Sequence, residues 1–108
     1  MKKLKRKMSA EAFLYDPYSG EESFKRFASH QEAKAWLLPQ VVALLERRYR
    51  ELPRIEQEEA SLYFNSKGRV RKTTRDNVQE LQDVTESFWS EFEEGALEWG
   101  IKPALTPL

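Results

Sequence analysis

The sequence predicts an α+β fold: two β-hairpin–helix units, their hairpins forming a short antiparallel sheet packed by two long amphipathic helices. Three observations carry this. Aromatic runs followed by a glycine turn occur twice, at Leu14-Tyr15 with Ser19-Gly20 and at Leu62-Tyr63 with Lys67-Gly68. Each is followed by a helix-capping signal, Ser29 and then Thr73, and each cap opens an apolar pattern at spacings of three and four. The alternative is a mainly helical chain with one hairpin at 62–73.

The elements follow in order. Residues 1–10 are lysine- and arginine-rich and are expected to form a disordered basic arm, followed by a single domain over 11–100. The first hairpin is expected to run through Ala12-Phe13-Leu14-Tyr15, turn at Asp16-Pro17-Tyr18-Ser19-Gly20 and return over Ser23 to Ala28. Phe24 and Phe27 are three apart, a helical spacing, so the return arm reads as a bulged strand or an early helical turn. Ser29-His30-Gln31-Glu32 is a capping box, and Ala33, Trp36, Leu37, Val41, Leu44, Leu45, Tyr49 and Leu52 continue one helical face. Pro39 removes a hydrogen bond from that helix and predicts a kink or two abutting helices near Leu38; Leu52-Pro53 ends it.

The second hairpin reads as Leu62 to Asn65 and Arg69 to Thr73 around Ser66-Lys67-Gly68, pairing Phe64 with Val70. Alternation then sends Leu62, Phe64 and Val70 to the core and Tyr63, Asn65, Arg69 and Arg71 outward. The second helix is expected to start at Thr73 and carry Val78, Leu81, Thr85, Phe88, Phe92, Ala96 and Trp99 on one face up to Gly100. Residues 101–108, with two prolines, read as an extended tail. The common order of signals suggests a pseudo-repeat of 11–52 and 60–100.

Composition excludes several classes of chemistry. With 108 residues, three Trp, four Tyr and six Phe, the chain can bury a core without a staple. The absence of cysteine removes disulfides, thiol catalysis and Cys-ligated zinc, and a single histidine, His30, removes every paired-histidine metal motif. No phosphate-binding glycine loop occurs, and the adjacent acid pairs Glu21-Glu22, Glu58-Glu59 and Glu93-Glu94 point their side chains apart. No catalytic residue, cofactor, metal or small-molecule ligand is therefore expected, and His30 reads as a solvent-facing residue beside a helix cap. No apolar run approaches the roughly 20 residues of a membrane span, and the basic start lacks an apolar signal core; the chain reads as soluble and cytoplasmic.

The formal net charge of zero conceals a split. Residues 61–75 hold five bases and no acid, whereas 76–108 hold one base and eight acids. The plain reading is a basic surface facing an acidic helix.

Two partner classes follow. The first is protein association, with another protein or with a second copy, through an acidic aromatic C-terminal helix carrying Phe88, Trp89, Phe92 and Trp99. Trp89 lies off the centre of the apolar stripe there, which suggests an exposed anchor. The second is nucleic-acid binding by the basic hairpin, with Lys67, Arg69, Arg71, Lys72 and Arg75 on phosphates and Tyr63 stacking on a base or on Arg71. The basic arm could assist. Over 14 residues, Phe24 to Leu37, the order of strand, Phe, Ser, Glu-Ala and Trp-Leu resembles the strand-to-helix junction in arm-type DNA-binding domains of tyrosine recombinases. The same junction arises wherever a capped amphipathic helix packs on a strand, so no family is assigned from it.

Overall fold

The computed structural model describes residues 7–17, 19–93 and 95–106. Three strands, β1 (Lys7–Asp16), β2 (Glu21–Phe27) and β3 (Glu98–Thr106), form an antiparallel sheet in the order β2-β1-β3. Between β2 and β3 lie α1 (His30–Glu51), α2 (Arg54–Ala60), a 3-10 turn (Ser61–Tyr63), α3 (Lys72–Arg75) and α4 (Val78–Phe92). The fold is α+β.

The first hairpin forms much as its turn chemistry dictates. Gly20 takes a φ of 78°, its N–H donates to Asp16 O at 2.7 Å, and the Ser19 hydroxyl donates to the Asp16 carboxylate at 3.0 Å. The return arm is a regular strand. Phe13 pairs with Phe24, and Ala10 pairs with Phe27. Three residues apart on a strand means opposite faces, so Phe27 turns inward onto Trp36 of α1 (5.6 Å between centroids) while Phe24 turns outward.

Ser29 caps α1, its Oγ accepting from Glu32 N at 3.2 Å, and the helix runs unbroken through Pro39 to Glu51. The expected division near Leu38 is not found. Pro39 lies exposed, and beside it Gln40 Nε2 donates to Trp36 O at 2.9 Å. The buried face of α1 sets Ala33, Leu37, Val41 and Leu45 against Ala10 and Ala12 of β1, and the core continues into Phe64, Val70, Leu81, Phe88, Trp89 and Trp99.

Five expectations are corrected. The second hairpin shrinks to one bridge, Phe64 with Val70, in the predicted register but without strands on either side. Leu62, assigned to the core, is exposed, because residues 61–63 close a 3-10 turn after α2. Thr73 caps nothing; α4 starts at Asn77, whose Oδ1 accepts from Glu80 N at 3.0 Å. That helix ends at Phe92, and Trp99 belongs to β3, where it pairs with Leu14. Both ends of the described chain are strand: 7–10 of the expected arm pair with 103–106 of the expected tail, from Lys7 with Thr106 to Ala10 with Pro103, and 101 and 102 pair with 12 and 11. Residues 1–6, 107 and 108 lie outside the described residues.

Candidate functional site

The basic segment is anchored from beneath by two buried side chains. Phe64 stacks on Tyr49 of α1 (4.0 Å, 23°) and meets Phe88 edge-on, and Val70 is buried beside it. Between them residues 65–69 fold back as a closed loop. Gly68 has a φ of 73°, and Asn65 Oδ1 accepts from the N–H groups of Lys67 (2.8 Å) and Arg69 (3.0 Å).

What holds the far side of the loop is a carboxylate from α1. Glu46 is buried and gathers three donors: Arg69 Nε at 3.2 Å, Val70 N at 2.9 Å and Arg75 Nη2 at 3.1 Å. Glu46 therefore does the work that a second strand would have done for the Val70 N–H. It also fixes two guanidinium groups on the molecular surface, Arg69 half-exposed and Arg75 less so.

Beside them lies a groove of about 690 Å³ along α1. Its floor is Leu38, Pro39 and Val42, its basic rim is Lys34, Arg69 and Arg75, and Asp76 closes one end. Lys67, Arg71 and Lys72 are exposed, and among the described residues none of them has an ion-pair partner. The basic stretch does not face the acidic helix as expected: its two ion-paired members, Arg69 and Arg75, both turn to Glu46 of α1. Tyr63 is half-buried against the core and is not a free stacking platform.

The aromatic residues proposed as a protein interface are core. Phe88, Trp89 and Trp99 are buried and Phe92 is half-buried. Trp99 Nε1 donates to Thr85 Oγ1 at 2.9 Å, while Trp89 Nε1 has no hydrogen-bond partner among the described residues. Trp89, off the stripe's centre, is covered because the buried face of α4 is wide enough to include it. His30 is exposed at the first turn of α1.

Two features escaped the sequence reading. One is a buried ionic cluster at the other end of α1. Arg48 Nη2 donates to Asp16 Oδ2 at 2.9 Å, with Glu51 at 3.5 Å and Glu93 at 3.8 Å. Burial opposes the Arg48 charge, but the Asp16 hydrogen bond and the neighbouring carboxylates outweigh it and hold the guanidinium above its ordinary value. Burial pushes the Glu93 carboxyl up, and the attraction of Arg48 only partly offsets this. The other is the outer sheet face, where Phe13, Tyr15 and Phe24 point away from α1. Alternation in β1 carried that signal, two aromatics at odd positions against alanines at even ones.

Among the described residues, no group of three or more His, Asp or Glu side chains could hold a metal ion, and no helix is long and apolar enough to cross a membrane. No protein family, curated protein or solved structure matches the chain.

Proposed function

We propose that this protein is a non-enzymatic accessory module that binds nucleic acid through the basic face formed by residues 65–75 and the groove of α1. One observation carries the reading: Lys67, Arg71 and Lys72 stand exposed with no acid partner among the described residues, next to two arginines that Glu46 holds in place. Such a surface suits a repeating anion better than a single small one, because its cations are spread along a segment instead of converging on one point. The contacts are to phosphates, so binding is sequence-tolerant and strongly salt-dependent. Base stacking by Tyr63 is not part of this reading. Association through the aromatic side of α4, the first reading of the sequence, loses its support, since those rings are occupied by the chain's own core.

The test is a titration of labelled single- and double-stranded DNA and RNA at low and high salt, with the triple variant Lys67→Ala/Arg71→Ala/Lys72→Ala alongside. All three side chains are exposed, so the variant should keep its circular dichroism spectrum. We expect wild-type affinity to fall steeply with salt, and the variant to bind at least about tenfold more weakly with a log–log salt slope shallower by about 2 to 3. Absence of binding at low salt, or an unchanged slope in the variant, overturns the proposal.

A further inference from the structure

We infer that the outer face of the sheet is the interface of a homodimer, two copies packing face to face with their β1 strands antiparallel. Alternation sets Ala10, Ala12 and Asp16 of β1 toward α1, which leaves Glu11, Phe13 and Tyr15 on the opposite face. The strand register places their neighbours. Phe24 and Gly100 flank Phe13, Glu22 and Glu98 flank Tyr15, and Arg26 and Lys102 flank Glu11. Side chains of this face surround a shallow depression of about 570 Å³, and Phe24 stands 66% exposed beside it. Gly100 keeps the centre low, since a Cβ there would lie 3.3 Å from the Phe13 ring.

The occupant follows from how charge is arranged along β1. At the Tyr15 end the face is acidic, with Glu22 and Glu98. At the Glu11 end it is basic, with Arg26 and Lys102 outnumbering the one glutamate that both touch, at 3.4 and 3.9 Å. Aromatic rings lie between. A two-fold axis in the plane of the face and perpendicular to the strands sets the acidic end of each copy over the basic end of the other, with the rings meeting at the centre. An axis along the strands would instead stack like charges, so charge selects one arrangement. Seven paired residues at about 3.4 Å and three strands at about 4.8 Å give a footprint of about 340 Å². That is small for an interface, so the association should be weak and concentration-dependent.

The experiment is sedimentation equilibrium of the full chain at protein concentrations up to about 500 μM, corresponding to the weak end of specific affinities. Two charge variants accompany it: Glu22→Lys/Glu98→Lys, basic at both ends, and Arg26→Glu/Lys102→Glu, acidic at both ends. We expect the wild type to shift with concentration from 12.8 kDa toward twice that mass. Each variant alone should stay monomeric, and an equimolar mixture of the two should recover the doubled mass. Phe24→Lys, at an exposed position, should also stay monomeric with an unchanged circular dichroism spectrum. A wild type that remains monomeric throughout, or a dimer that neither charge variant weakens, overturns the inference; the first outcome leaves the face to another protein, the second puts the dimer contact elsewhere. Loss of nucleic-acid binding would leave this result untouched, because none of these residues belongs to the basic face.

Discussion

Glu46 shows how one side chain can replace a secondary-structure element. Its carboxylate takes the Val70 N–H, which a partner strand would otherwise have accepted, and holds Arg69 and Arg75 in the same grip. Replacing it by alanine leaves the buried Val70 N–H without an acceptor, which costs about 1 to 3 kcal/mol. The two arginines add little to that figure, since both can turn to water. We therefore expect Glu46→Ala to lose about 2 kcal/mol, read as a lower urea midpoint at an unchanged slope. A loss below about 0.5 kcal/mol would mean that the loop is held by Phe64 and Val70 packing alone. The residue was invisible in sequence because its three partners lie 23 to 29 positions away. Gly68, whose role is local, was legible as the left-handed turn residue, whereas Asn65 read only as an outward-facing strand position and its loop-closing bonds were not legible.

At the scale of elements, the same division between local and distant causes separates what the sequence could tell from what it could not. The first hairpin and the Ser29 cap rest on contacts a few residues apart, and both formed where turn and capping chemistry put them. β3 does not: Glu98–Thr106 contains a glycine and two-sided polarity, and its partner lies some 90 positions earlier in the chain, so its first residues read as the end of a helix and the rest as a tail. Thr73 is the start the sequence predicts for the last helix, but the structure caps that helix four residues later, at Asn77. α3 is a single turn whose first residues make no side-chain cap bond, whereas Asn77 holds the Glu80 N–H. Thermal or urea melts separate the two directly. Asn77→Ala should cost about 1 kcal/mol, while Thr73→Ala, at an exposed site, should stay within about 0.5 kcal/mol of the wild type. The reverse order would place the helix start at the earlier residue. The basic segment was visible because charge is counted along the chain, whereas whether Trp89 faces water depends on what the rest of the chain lays over it.

For the molecule as a whole, the Arg48 cluster ties together the end of β1, the last turn of the fold's longest helix and the residue that follows α4. Its electrostatics are uneven. Asp16 pairs closely with Arg48, whereas Glu93 is partly buried with only a distant share of the same guanidinium, and its carboxyl is raised above the ordinary value. The consequence for folding has a definite sign. Between its ordinary and its raised value, Glu93 binds a proton more tightly in the folded chain than in the unfolded one, so this group's contribution to stability falls as pH rises through that window. Below the window both states are protonated and the penalty is absent; above it both are ionised and the penalty is complete. Glu93→Gln keeps the shape and removes the titration, while Arg48 retains Asp16 at 2.9 Å and Glu51 at 3.5 Å. Thermal melts of the two proteins from about pH 4 to about pH 7 should therefore diverge, with the variant gaining on the wild type as pH rises and staying ahead on the neutral side. A constant difference would show that Glu93 titrates alike in both states, and a variant that falls behind with rising pH would mean that its attraction to Arg48 outweighs the cost of burying it.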